Sequence, residues 1–585
     1  MRYIHIVGLI IFCVIAAGSV ENGQGQSRST PKREKPRPAP SRTSTTHKDT
    51  TKTKPVQEKT LPAIQLKNYI ITGKEQVNLP PSEKPTLYPQ RVVQKELHQE
   101  VDEHRSARPL TIDAIKPVMT FIPSSSGQTN NLELGYGRYS DTKLSGQIAR
   151  TYQAHDGIAG LDFHRTNGFM KDAGESEGRL RVGDAYKFTN SATGNLDVHY
   201  GYQGYKFYGS PFTPMKRTIQ DLTGNARINL HASQKLSIGF YGGGLMGSVK
   251  DDEEKVPAHS LFGSVQVHGF VGPHLITANF DATRHSYERN KIDGGPDQKN
   301  PHNWDKIKSF KLGLGFEGTV KRGLHLRAGG TLFENEDMAG KKISRFYPYA
   351  SLSKAVPQVG EIFAEFTPEI LSGSLFDMIA INRYFSSYSV VSFVNYPITI
   401  HAGWRKRTAQ GITWEASYIY KKVEHLGIEV DPFRSGIWSM EYGLQGKGFK
   451  TTLQGMQFVA DWQTSDQVSL WGTISVLDYS LLEHTIGGNI PYHANVTGST
   501  MVQFRPGNGF QLELSAKYVG KRFVDLWGSK EFDPYVLANF HIGKRFRNNI
   551  EAGVSIYNLF NQKFEIRDLY QEPDMVSTGN ITFNW

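Results

Sequence analysis

The residues that could do chemistry in this chain are not gathered into a motif. They are histidines and carboxylates placed at every second position of extended runs. His199, His231, His268 and His325 each fall on the polar side of an alternating apolar/polar segment, as do Asp197, Glu361, Glu365, Glu415 and Glu513. Two readings are open. These groups line a path for a ligand or metal through a wet interior, or they are the ordinary polarity of such a surface with its charges paired. Asp251-Asp252-Glu253-Glu254 offers carboxylate oxygens of the kind that gather Ca²⁺, or is a solvated loop. No serine-centred elbow or glycine-rich phosphate loop stands at a strand-to-helix turn, where its chemistry would need it, and no histidine pair falls at helical metal spacing. The expectation is therefore no catalytic residue, no cofactor and no metal. The single cysteine, Cys13, sits in the N-terminal apolar run, so a chain matured beyond it has no thiol for disulfides or metal binding.

Residues at alternate positions share a face only on a strand, and such runs recur from about Asn130 to the end. Leu196, Val198, Tyr200 and Tyr202 alternate with Asp197, His199, Gly201 and Gln203. Trp414, Ala416, Tyr418 and Tyr420 alternate with Glu415, Ser417 and Ile419. Phe510, Leu512, Leu514, Ala516 and Tyr518 alternate with Gln511, Glu513, Ser515 and Lys517. The last run sets Ile581, Phe583 and Trp585 against Asn580, Thr582 and Asn584. Only 38% of the residues are hydrophobic, yet 11% are aromatic and 58 are glycine. That mixture suits strands with one face in lipid and the other in water, with aromatics at the interfaces. No run beyond the N-terminus approaches the roughly 20 apolar residues of a spanning helix. The fold class expected is all-β: a large antiparallel transmembrane β-barrel of about 20–22 strands, with a disordered or short N-terminal periplasmic segment. Leu371–Tyr396 resists the pattern and leaves the strand count open.

Four regions follow. Residues 1–25 read as a signal peptide, with a positive start, the apolar run Ile4–Ala17 and small residues at Ala16-Ala17-Gly18. Residues 26–60 form a basic arm rich in Pro, Ser, Thr and Lys, with too little apolar surface to offset its ordering entropy. Much of the net charge of +11 lies there, and no recognition-helix or RNA-binding pattern accompanies it, so nucleic acid is not an expected partner. Residues 61–128 form a short periplasmic or lumen-docking segment, with a β-prone run at Tyr69-Ile70-Ile71 and a helical stripe of Val93, Leu97 and Val101. Residues 129–585 form the barrel. The tight turns at 505–509 and 547–549 are expected on the periplasmic side and the longer Lys521–Pro534 on the outside.

The last quarter resembles the TonB-dependent outer-membrane receptors. Tyr557-Asn558-Leu559-Phe560-Asn561-Gln562-Lys563-Phe564-Glu565 looks like that family's penultimate-strand signature, carried here by Asn558, Leu559 and Phe560. Tyr518–Asp525 and Ile490–Asn495 resemble a strand with its loop start and the approach to a descending strand in the same barrels. The match covers Asp466–Trp585 in order. The resemblance implies that Ile581, Phe583 and Trp585 are the signal read by the barrel-assembly machinery. It also implies that Tyr69, Ile70, Ile71, Thr72 and Gly73 are similar to the TonB box, the segment that adds a strand to an energising TonB-type protein. The interval between Gly73 and the first barrel strand has no room for the family's standard plug.

The function expected is an outer-membrane transport channel or receptor for an unidentified small solute, in the envelope of a Gram-negative cell, with membrane lipid around it. The alternative is a non-transporting barrel that anchors or scaffolds periplasmic or surface partners, its lumen blocked by the segment before the barrel. A barrel enzyme with His, Ser and Asp at its outer rim is the third and weakest reading.

Overall fold

In the computed structural model the described residues run from 130 to 585, apart from short stretches that include 289–303, 443–447 and 483–488. Residues 1–129 lie outside them, and with them the signal-peptide, basic-arm and TonB-box-like readings. The rest is a closed antiparallel barrel of 22 strands. In chain order these are β1 (Asn131–Gly137), β2 (Asp141–Tyr152), β3 (His155–Thr166), β4 (Glu175–Thr189), β5 (Ala192–Lys206), β6 (Lys216–Ser233), β7 (Leu236–Asp251), β8 (Glu254–Val271), β9 (His274–Glu288), β10 (Trp304–Val320) and β11 (Leu324–Glu336). They continue with β12 (Lys342–Val356), β13 (Gly360–Phe366 and Glu369–Ser372), β14 (Phe393–Arg407), β15 (Ile412–Leu426), β16 (Phe449–Gln463), β17 (Val468–Leu481), β18 (Val496–Phe504), β19 (Phe510–Val519), β20 (Tyr535–Phe546), β21 (Ile550–Tyr557) and β22 (Val576–Asn584).

Each strand pairs with its neighbour in sequence, and β22 returns to β1 from Asn131↔Asn584 to Gly137↔Thr578. Closure satisfies the two edges that an open sheet would expose. β13 is in two pieces because Pro368 has no N–H to give the ladder. Both pieces pair with β14.

The alternation read from the sequence is the in/out alternation of the wall. On β22, Thr578, Asn580 and Thr582 are buried, while Ile581, Phe583 and Trp585 are exposed. The outer surface carries a belt of exposed apolar residues, among them Val182, Leu222, Leu314, Phe346, Ile474 and Val554. Phe270, Trp462, Phe504 and Phe546 are exposed near one rim, where aromatic rings suit a membrane–water interface. That rim also holds both ends of the barrel, since Trp585 N donates to Asn130 O at 3.2 Å and Asn130 Nδ2 donates to Trp585 O at 3.0 Å. Connections there are short, as at 190–191 and 272–273, whereas those at the far rim include 373–392, 520–534 and 558–575. By the short-turn, long-loop rule the rim with the termini is periplasmic and the far rim faces outward.

The stretch that resists the alternation is a loop with a helix, α1 (Leu375–Ile381). Ser374 caps it: its hydroxyl accepts from Asp377 N, and the Asp377 carboxylate accepts from Ser374 N. Leu375, Met378 and Ile379 are its buried face. Ser374→Ala is expected to cost about 1 kcal/mol, and faster amide exchange confined to 375–381 would report it.

Candidate functional site: the capped mouth and the lumen wall

Many strands are longer than the roughly 9–11 residues needed to cross the membrane; β6 and β8 have 18 each. The outer ends therefore stand clear of the bilayer, and the largest hydrophobic core of the protein forms between them. It joins Tyr205, Phe207 and Val249 from the β5–β7 ends with α1, Tyr384, Phe385, Trp438, Tyr492, Leu526 and Tyr570. The segment 373–392 turns inward to make this contact. Leu375 N donates to the hydroxyl of Tyr287 on β9 at 2.9 Å. Phe376 lies over Gly247 on β7, where any Cβ would come within 2.9 Å of its ring. Val391 N reaches Met338 Sδ, and the Tyr205 hydroxyl donates to Arg383 O.

Two ion pairs fasten the segment: Arg383 reaches Glu175 on β4 at 2.5 Å, and the more buried pair is Arg217–Asp251. Arg217, with no exposed surface, is the cross-strand neighbour of Asp251. Its Nε and Nη2 each donate to the Asp251 carboxylate at 2.6 Å. Nη1 donates to Phe385 O at 2.6 Å and Arg383 O at 3.1 Å, and Ser387 Oγ donates to Asp251 Oδ2 at 2.7 Å. A buried pair is tolerated only when its remaining donors and acceptors are filled, and here the loop backbone fills them. Asp251 is therefore not a free Ca²⁺ ligand, and Asp252 accepts from Lys216 N. Among the described residues no three His, Cys or acidic groups are gathered to hold a metal.

Above this pair sits an aromatic cluster. Tyr384 and Tyr570 stack with centroids 3.5 Å apart, and Tyr208 meets Tyr570 edge-on at 5.1 Å. Tyr570 OH donates to Gly436 O and Tyr208 OH to Gln571 O, so three connections are laced together. Burial pushes all three hydroxyls up, which keeps them neutral donors at any physiological pH. A second polar tie joins Glu429 to Asn382 and Arg567. A third joins Asp337, Ser392 and His425: Ser392 Oγ lies 2.6 Å from Asp337 Oδ2 and 2.9 Å from His425 Nε2.

Burial works to raise the Asp337 carboxyl, but hydrogen bonds from His425, Ser392 and the Lys341 backbone outweigh it and hold the group below its ordinary 3.8. A carboxylate lowered in the folded state lends stability above its unfolded value and loses it as pH falls through the folded one. The tie is therefore expected to hold at pH 5 and to release only below about pH 3.8. Proteolysis of the outer loops along a pH series reads this, and Asp337→Asn should abolish that step.

Beneath the mouth, the predicted polar-face residues do line the lumen wall, and most are paired. Asp197 binds Arg181, His325 lies 3.5 Å from Glu317, and Glu513 accepts from Gln503 at 2.9 Å. Glu361 and Glu415 flank Arg405 at 3.7 and 3.0 Å, while His401 lies between Glu365 and Glu415 at 3.9 and 3.6 Å. His199, His231 and His268 stand apart on separate strands. From β15 round to β22 the wall also carries buried neutral polar side chains, Ser417, Gln457, Ser475, Asn539, Ser555, Thr578 and Asn580. Ser417 Oγ, Asn539 Nδ2, Asn580 Oδ1 and Thr582 Oγ1 have no hydrogen-bond partner among the described residues.

Asn558, Leu559 and Phe560 lie past the end of β21 rather than in it. Asn558 takes a left-handed φ of 53° and is fully buried. Its amide donates to Gln562 O and Pro573 O, and its carbonyl accepts from Gln562 N. It thereby pins both ends of the connection 558–575. The sequence reading missed Arg217, Asp251, Tyr384 and Tyr570 as a unit. The one local signal was Ser374-x-x-Asp377, a helix start inside an otherwise strand-rich chain.

No protein-family model matches the sequence, and no curated protein does. Solved structures do match. FpvA of P. aeruginosa bound to heterologous pyoverdines aligns with 11% identity over 78% of this chain and 72% of that one, at a TM-score of 0.60. The FrpB iron transporter from Neisseria meningitidis aligns with 8% identity over 79% and 81%, at 0.63. The copper transporter OprC aligns with 10% identity over 78% and 80%, at 0.59. At such identities the likeness is one of fold, the large closed antiparallel β-barrel that this chain shares with those receptors and transporters.

Proposed function

We propose that the protein is a receptor-like outer-membrane barrel that admits a small solute through a gated lumen, without a chemical step. The observation that carries this reading is the inward segment 373–392. It is clamped by the buried Arg217–Asp251 ion pair and by a second ion pair from Arg383 to Glu175, and laid over a wall of polar side chains. Two proteins of the same fold, FrpB and OprC, are transporters of iron and copper, which supports a small cargo without naming it. The unpartnered buried polar atoms of β15–β22 support a second part of the proposal, because such groups cost about 1–3 kcal/mol each when left unfilled. The segment 61–128, which leads into Asn130 at the periplasmic rim, docks against them, and Tyr69–Gly73 within it offers a strand to an energising TonB-type partner.

Single-channel conductance of four proteins tests this: the full chain, a deletion of Gln26–Pro109, a replacement of 375–391 by a Gly/Ser linker, and both changes together. Steady conductance only in the double variant is the expected result, with two obstacles in series. Silence in all four favours the sealed barrel as an anchor or scaffold, a reading that the tight cap also supports.

A further inference from the structure

The outer wall of β8–β12 holds a groove of about 540 Å³. The geometry points to a binding site there for an acyl lipid whose headgroup carries phosphate. The strand register sets its parts in rows. One row on the lipid face runs Leu261↔Arg284↔Lys308↔Glu336↔Lys342. The next row toward the membrane centre runs Gly263↔Ala282↔Phe310↔Glu334. The row beyond it runs Val265↔Phe280↔Leu312↔Leu332↔Phe346 and is wholly apolar.

Rows on one face are about 7 Å apart, so the wall passes from hydrocarbon to three cations within the depth of a lipid headgroup. Gly263 and Ala282 carry almost no side chain and leave a trough bounded by Leu261 and Phe310, wide enough for an acyl chain. All three cations stand toward the outward ends of their strands, on the outer side of the wholly apolar row.

The charges discriminate among occupants. Lys308 is joined to Glu336 at 2.7 Å, which leaves that carboxylate neutralised. Arg284 has no ion-pair partner among the described residues. Glu334 is exposed on the lower row. A bare anion gains little from three cations against two carboxylates. A lipid adds the apolar contact with Leu261, Phe310 and the row beneath, and that contact selects it over free phosphate.

Native mass spectrometry of the full chain in detergent, titrated separately with phosphatidylglycerol and with inorganic phosphate, tests the site. Phosphatidylglycerol adducts are expected to persist. They should weaken at least tenfold in the triple variant Arg284→Gln/Lys308→Gln/Lys342→Gln and severalfold in Phe310→Gln. Inorganic phosphate at equal concentration should not displace them. Lys250→Gln/Lys255→Gln removes an exposed cross-strand pair of cations from the same rim and should leave binding unchanged. Equal loss in that control would reduce the effect to net charge and overturn the proposal. So would full retention in the triple variant, or displacement by inorganic phosphate. All of these substitutions lie on the wall's outer surface, so unchanged heat-resistant migration will show that the variants are folded.

Discussion

Arg217→Ala will release the inward loop. The substitution removes the guanidinium that satisfies Asp251 and two loop carbonyls at once. A carboxylate left buried and unpaired typically costs about 3–5 kcal/mol. That is more than the aromatic contacts above it supply singly, at about 0.5–1.5 kcal/mol per pair. The β6–β7 ladder does not depend on the side chain, so the barrel should still assemble and migrate as a heat-resistant band. The expected result is protease cleavage within 373–392, absent from the wild type. Arg217→Met/Asp251→Leu supplies the control: with both charges gone no ion is stranded, and much of the closure should return. An Arg217→Ala protein with a protected loop would show that the aromatic cluster and the ties from Asn382, Arg383 and Ser392 hold the mouth shut without this pair.

The second large effect is expected on the opposite face of the wall. Leu514 is 41% exposed on β19, beside Phe540 and Val502 on its neighbours, and is surrounded by the apolar belt. Leu514→Arg places a charge in hydrocarbon at a cost of about 2–4 kcal/mol near the midplane. The variant is expected to fail assembly and to lose heat-resistant migration. The same change at Ser515, whose side chain faces inward toward Asn539, should be tolerated. Normal folding of Leu514→Arg would contradict the inside–outside assignment of the whole β18–β20 arc.

These two sites also mark how far the sequence could be read. The face of Leu514 follows from the alternation of ten residues, a property local to one strand, and the closing strand was legible for the same reason. Arg217 and Asp251 are 34 positions apart. Nothing in either neighbourhood indicates that they meet, because their pairing depends on the register of the whole β6–β7 hairpin. The stretch 371–396 obscured the pattern because it serves a different core. Its Tyr, Ser and Phe residues pack against other loops, so they follow neither strand nor helix periodicity for long. Asn558–Phe560 shows the complementary error. The family resemblance was read as strand, whereas the segment's ordered feature is a left-handed asparagine that stops the strand and starts a loop.

The pairing of β1 with β22 has a consequence for biogenesis. The two partners stand at opposite ends of the barrel sequence, so their seven paired positions, Asn131↔Asn584 to Gly137↔Thr578, are the contacts of greatest sequence separation in the wall. Loop-closure entropy must be met before such contacts return anything, and every hairpin between them can form earlier. The seam is therefore the last part to zip and the first to part under strain. A chain cut short before Val576 would keep nearly all its local hydrogen bonds yet carry two raw sheet edges into the membrane. Quality control of this protein thus reduces to one event, the meeting of its first strand with its last.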